Sequence, residues 1–272
     1  MHMNAEPQIY SDSKAETYLD LQAAVGITKH FGGYDATDEL HRLCRVDLAR
    51  EVLEVGCGVG VGPAYIAKRY GCRVVAVDLS PDMLAWAERR AQRDGVADLV
   101  TLQQANVLAL PFEDDRFDAV LAESVLAFVQ DKPRALAEMI RVTRPGGYVG
   151  LNESYWSQHP PEGSAQAWAS LGSAIITADE WRALWAATPL EERVVQSRGY
   201  RFGREAGDRM RWIGWGEALR AWGRIIKMMA TNRALWGAVR TSLRAQRETP
   251  RELMRAFAYA LFVGRKPAAP QA

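Results

Sequence analysis

The chain has 272 residues, 48% hydrophobic and 25% charged, with a formal net charge of +1, which suits one α/β domain with an appended lobe and an ordinary globular core. Its three cysteines, Cys44, Cys57 and Cys72, form no CxxC pair and have no histidine at ligand spacing. This argues against a disulfide framework and a structural metal, and for a reducing compartment. The N-terminus lacks the apolar run of a signal peptide and no stretch of about 18 apolar residues occurs, so a cytoplasmic protein is expected, Met1-His2-Met3 reading as an expression scar before a second start.

Ser13–Val25 reads as a short helix, followed by a turn at Gly32-Gly33 and a second helix from Asp38 to about Arg45. From Glu51 strands and helices alternate. Val52–Val55 is a short apolar strand stopped by Gly56, Pro63–Arg69 is helical, and Arg73–Val77 is a strand ending in Asp78. Ser80-Pro81-Asp82 then opens a helix, with serine as N-cap and proline at the first helical position. Leu99–Gln103 and Phe117–Ala122 are the third and fourth strands, Asp131–Val142 is a helix, and Tyr148–Asn152 is the fifth strand, after a turn at Pro145-Gly146-Gly147. Glu192–Tyr200 and Phe257–Arg265 read as strands six and seven, the last preceded by a capping box at Thr249-Pro250-Arg251-Glu252. Alternating strands and helices imply parallel pairing through right-handed crossovers, helices on both faces, and a ligand beyond the C-terminal strand ends.

The residues just past those ends carry the chemistry. Glu54-Val55-Gly56-Cys57-Gly58-Val59-Gly60 places three glycines at spacing two, where the missing Cβ lets the backbone turn tightly and approach a ligand. The dinucleotide frame GxGxxG is not met: Val61 follows Gly56 and Gly58, and Pro63 follows Gly58 and Gly60. Asp78, 24 residues after Glu54, ends the second strand, where a carboxylate accepts two charge-assisted hydrogen bonds from a ribose diol. Gln104-Ala105-Asn106-Val107, Leu110-Pro111-Phe112 with Phe117-Asp118, Ala122-Glu123-Ser124 and Arg141-Val142-Thr143-Arg144-Pro145-Gly146-Gly147 follow in order.

This order resembles class I S-adenosylmethionine-dependent methyltransferases, over residues ~50–152, and is most similar to the ubiquinone/menaquinone-biosynthesis-like, type 11-like branch acting on small molecules. The resemblance implies an α/β fold, a Rossmann-like seven-stranded, mostly parallel sheet with helices on both faces and a helical insertion between strands six and seven. It divides the chain into a helical lid (1–48), an S-adenosylmethionine-binding core (49–200), a substrate or lid insertion (201–250) and the last helix and strand of the core (251–266). It further implies S-adenosyl-L-methionine as cofactor, no metal, and cofactor contacts from Glu54, Gly56, Cys57, Gly58, Gly60, Asp78, Leu79, Met83, Asn106, Val107 and Glu123. Asn106 stands where the family usually has aspartate: an amide still meets the adenine edge, without the charge. His30-Phe31-Gly32-Gly33 and Tyr10 sit where the branch places a cofactor lid.

The implied activity is in-line transfer of a methyl group to a small-molecule or lipophilic acceptor, where alignment is the protein's main task. A base is needed only for a protonated nucleophile; Glu123, Glu153, His30 and His159 are candidates, Glu123 and His30 before the others, each more often structural than proton-abstracting. After strand four the chain reads Glu123-Ser124-Val125-Leu126, unlike enzymes methylating exocyclic base amines, and no cysteine follows Cys72, so nucleic acid is not the favoured partner. Arg193–Arg255 holds 15 Lys and Arg against 5 Asp and Glu. Within it Trp212, Trp215, Leu219, Trp222, Ile226 and Met229 form one apolar helical stripe, with Arg209, Arg220, Arg224 and Lys227 on its flank. A lid helix, an anion site for a phosphate- or carboxylate-bearing acceptor, and a peripheral contact with an anionic membrane all fit. A non-catalytic S-adenosylmethionine-binding regulatory protein stays open as the alternative function, and tight NAD binding would revive a dehydrogenase.

Overall fold

A computed structural model describes Gln22, Thr28, residues 30–160, 164–169, 172–199, Trp215, Gly216, Leu219, Trp222, Gly223, Ile226 and residues 256–268. The expected helix at Ser13–Val25 apart from Gln22, Tyr10, the Thr249 capping box, Trp212, Met229 and the flanking Arg209, Arg220, Arg224 and Lys227 lie outside the described residues.

The elements in chain order are α1 (Gly33–Leu43), β1 (Glu51–Val55), α2 (Val61–Tyr70), β2 (Arg73–Asp78), α3 (Pro81–Arg93), β3 (Val100–Gln104), β4 (Phe117–Glu123), α4 (Lys132–Val142), β5 (Thr143–Trp156), α5 (Ser164–Ala169), α6 (Ala178–Ala186), β6 (Glu191–Gly199) and β7 (Phe257–Arg265). The strands form one seven-stranded sheet in the order β3-β2-β1-β4-β5-β7-β6. All neighbours are parallel up to β5, and β7 runs antiparallel to both β5 and β6. The order reverses between β1 and β4, and a crevice for ligands opens there, past the strands' C-terminal ends.

Val52, Leu53, Ala119, Val120 and Leu121 are fully buried, as expected of strands covered on both faces. Two apolar clusters lie on opposite sides of the sheet. One holds Leu53, Val75, Val120, Leu136, Met139, Trp181 and Phe262; the other holds Leu40, Val52, Ile66, Val74, Ala87, Leu121 and Leu261.

The expected strands and crossover helices are present, with boundary corrections that have physical causes. Helix α1 begins at Gly33, ahead of the expected Asp38, because Gly32 takes a left-handed N-cap conformation with φ 78°. Helix α2 begins at Val61, so Pro63 falls within its first turn, where a missing N–H costs nothing. Strand β5 is far longer than Tyr148–Asn152. The expected Pro145-Gly146-Gly147 turn lies inside it as a bulge between the pairs Phe117↔Thr143 and Ala119↔Tyr148, stitched to the chain after β7 by Gly146 N–H to Lys266 O and Lys266 N–H to Gly147 O. Helix α6 was not anticipated, although Thr177 and Glu180 form a complete capping box at its start.

Asp118, two residues into β4, ties the opposite rim together. Its Oδ2 accepts the backbone N–H groups of Arg50 and Glu51 at 2.7 and 2.8 Å, and its Oδ1 lies 2.7 Å from the Arg144 guanidinium. The aspartate of the "LPF…FD" pattern is thus a structural clasp at the end of the sheet away from the crevice.

Candidate cofactor and acceptor site

The glycine loop bridges β1 and α2. Gly56, Gly58 and Gly60 all have positive φ, at 67°, 51° and 77°. At Gly58 a Cβ would meet Thr28 Cγ2 at 2.7 Å, and at Gly60 it would meet the Ala87 backbone at 2.6 Å, so both positions require glycine for conformation and for space. Asp78 fixes the loop from β2: its Oδ2 accepts Gly58 N–H at 2.8 Å and its Oδ1 accepts Ser80 N–H at 2.9 Å. Burial raises the Asp78 pKa, opposed by these backbone hydrogen bonds. Ser80 is the cap of α3, its Oγ accepting Met83 N–H, so Asp78 is left to the loop.

Glu54 is the unusual group. It is 8% exposed, its Oε2 is buried with no hydrogen-bond partner among the described residues, and burial together with the nearby Glu123 carboxylate raises its pKa well above the usual range. Its carboxylate packs against Gly62, where any Cβ would collide with both oxygens. Sequence reasoning passed over Gly62 because it fits neither glycine frame; its role shows only once Glu54 is folded against it.

A second polar cluster stands at the end of β4. The Thr37 hydroxyl, from α1, lies 3.0 Å from both Glu123 oxygens. Asn152 Nδ2 donates to Glu123 Oε2 at 3.0 Å and to Phe31 O at 2.8 Å, and His30 Nδ1 lies 3.4 Å from Glu123 Oε2. The His30 Nε2 faces Thr37 Oγ1 at 3.4 Å. Asn152 is fully buried, yet its Oδ1 has no partner among the described residues. Thr37 and Asn152 carried no sequence signal: a threonine on a helix and an asparagine in a strand become a site only when β4, β5 and α1 converge. The Phe31 ring stacks on Tyr259 at 6.0 Å and lies 5.8 Å from Phe257, which pins the His30-Phe31 segment across β5 and β7.

The other sequence candidates separate. Cys57 and Val107 have side chains in the two main clusters, and Met83 is buried with Val59 and Val61 beside Tyr34 and Trp86. Leu79 offers its carbonyl to Gln104 Nε2. Asn106 Oδ1 accepts Leu108 N–H at 2.9 Å, closing a turn after β3. That loop is further held by Glu138, which accepts Leu110 N–H, and by Arg141, which donates to the carbonyls of Leu110 and Phe112. Glu153 is fully buried and accepts the N–H groups of Val125, Leu126 and Ala127 at 2.8, 2.8 and 3.2 Å. It anchors the segment after β4 and presents nothing to a substrate. His159 is exposed.

Residues 53–151 match the family described as "Methyltransferase domain". The match falls on the strands and the glycine loop that line the crevice, and the sheet order agrees with it. Methyltransferase GfsG of Streptomyces halstedii is 34% identical over 119 residues, 44% of this chain and 43% of that protein. The chain spans about half the length of the curated relatives it matches. Among solved structures, the [4+2]-cyclase SpnF superposes with a TM-score of 0.72 at 20% identity, covering 94% of both chains. The phosphoethanolamine N-methyltransferase 2 of Haemonchus contortus, in complex with S-adenosyl-L-methionine, gives 0.71 at 18% identity over 93% of this chain and 57% of that one. At these identities the two structures establish the fold.

S-adenosylmethionine carries a ribose, an α-ammonium and a sulfonium, and the donor set suits it. Asp78 keeps free lone pairs for a diol, the glycine loop leaves room for close approach, and the buried Glu54 Oε2, without a partner among the described residues, can accept from a ligand ammonium. A pyrophosphate would meet the Asp78 carboxylate at the loop and offers no cation to Glu54. Among the described residues no helix is long and apolar enough to cross a membrane.

Proposed function

We propose that the protein binds S-adenosylmethionine between β1, β2 and β4 and transfers its methyl group to a small-molecule or lipophilic acceptor. The observation that carries this reading is Glu54, a buried carboxyl whose Oε2 has no hydrogen-bond partner among the described residues, beside a left-handed glycine loop. Leaving such a group unpaired costs several kcal/mol, roughly, and a ligand ammonium removes that cost. Asp78 takes the ribose hydroxyls while holding Gly58, Asn106 and Leu79 border the adenine side, and Glu123 faces the reacting end. Bound there, the cofactor supplies an already activated methyl group. The chain's residues then need only to align the acceptor, which supplies up to roughly 7–11 kcal/mol of the barrier reduction, and to exclude water.

Residues 1–48 act as a lid and 201–250 select the acceptor. In that insertion Trp215, Leu219, Trp222 and Ile226 are helical and 74, 71, 64 and 64% exposed, which supports a lipophilic partner. The excess of arginine in the same stretch supports an anionic acceptor or an anionic membrane surface. Three buried free thiols suit the cytoplasm.

Isothermal titration tests the reading. The wild-type chain is expected to bind S-adenosylmethionine and S-adenosylhomocysteine, and Asp78→Ala and Gly58→Val each abolish binding; a wild type that ignores both ligands while holding a dinucleotide sinks the proposal. A second reading, a cofactor-binding regulator without turnover, is favoured by two observations: both His30 ring nitrogens face Phe31, Glu123 and Thr37, and Glu153 is spent on backbone. Incubation with methyl-labelled cofactor and a cell extract separates the two, since label on any metabolite removes the regulator.

A further inference from the structure

Among the described residues the two Glu123 oxygens are held unequally. Oε2 accepts from Asn152 and faces His30, whereas Oε1 has the Thr37 hydroxyl, shared with Oε2, as its sole partner among the described residues. Oε1 therefore keeps an open acceptor position on a side chain that is 9% exposed. Its negative charge reaches the interior: it raises the pKa of Glu54 and of the buried Cys44, and opposes the burial that lowers His41. Two acids, Glu54 and Glu123, stand at the ends of adjacent strands β1 and β4, and Val55↔Ala122 puts these ends in register. One ammonium answers one of them. The other calls for a second positive centre on the bound molecule.

The geometry points to Glu123 as a charge-selecting residue, positioned by Thr37, Asn152 and His30, that favours ligands cationic at the sulfur position over neutral ones. The inference rests on the proposed cofactor reading and adds a consequence to it: the site holds the methyl-bearing sulfonium and releases the neutral thioether that remains after transfer. Glu54, at the ammonium common to both forms, does not distinguish them; Glu123 does.

Three ligands read this out by calorimetry without any acceptor. S-adenosylmethionine and sinefungin, which carries a protonated amine where the former has its methylsulfonium, are both cationic at this position; S-adenosylhomocysteine is neutral there. Wild type should favour both cationic ligands over the neutral one by roughly tenfold, a modest share of the attraction between two unit charges at a partly exposed site. Glu123→Gln should erase this preference while leaving S-adenosylhomocysteine affinity within about threefold of wild type, which also reports that the variant is folded; Glu123→Asp should keep most of it. Equal losses for all three ligands in Glu123→Gln would make Glu123 a structural residue and overturn the inference. So would a wild type that binds the three alike or prefers the neutral one, a result that needs no variant. Failure of all three to bind wild type would instead remove the cofactor reading beneath it.

Discussion

Replacing Glu153 by glutamine tests the interior electrostatics behind the site. The carboxyl is fully buried, and burial, partly offset by three backbone N–H groups and by Lys132, raises its pKa from 4.5 to about 7. A carboxyl whose folded pKa lies above its unfolded one binds its proton more tightly in the native state. Its contribution is therefore most favourable below pH 4.5 and is lost as pH rises to about 7. The full shift corresponds to about 3.4 kcal/mol, and to about 2.5 kcal/mol between about pH 5 and about pH 8. Glutamine fills the same volume without titrating, although its amide cannot satisfy all three N–H groups, a cost that does not vary with pH. Urea unfolding of both proteins at these two pH values reads the term; His41, lowered to about 4, titrates in both, and adding Lys132→Met to both removes the lysine that Glu153 itself perturbs. Relative to wild type, Glu153→Gln should gain about 2.5 kcal/mol on going from about pH 5 to about pH 8. A difference that is flat with pH, or that moves toward wild type, would mean that the three N–H bonds outweigh burial and that Glu153 is ionised throughout.

Gly62→Ala drives a methyl group into the Glu54 carboxylate and should cost about 1–3 kcal/mol of stability, as overpacking does, together with at least about tenfold in cofactor affinity; denaturant midpoints and calorimetry check the two losses separately. Because Glu54 has a raised pKa in the free protein, a cation bound beside it should expel its proton. Titrations of S-adenosylmethionine in buffers of different ionisation enthalpy should then show net proton release, and Glu54→Gln should reduce it.

The backbone plan was legible because each crossover repeats a local rule. Ser80-Pro81 announced α3, Gly56 and Asp78 closed their strands, and the Phe257–Arg265 span was read correctly as β7. The long β5 was not, because Pro145-Gly146-Gly147 reads as a turn, and its inclusion depends on Lys266, more than a hundred residues away. The glycine loop with its aspartate was visible for the same local reason. The polar cluster was not: Glu123 and His30 were singled out as separate candidates, and nothing in the chain announces that Thr37 and Asn152 join them, since the contact spans 86 residues in one case and 29 in the other. Glu153 illustrates the converse. A carboxylate just past a strand end looks reactive, yet its partners are backbone groups, which a sequence never displays.

The antiparallel β7 has a structural corollary. Since it runs opposite to both β5 and β6, the chain departs from the sheet after Gly199 and returns at Phe257 on the same rim, with Gly199 paired to Ala258. Whatever joins those points is moored at that rim by two neighbouring tethers, so a change in its length leaves the rungs of the ladder below in register.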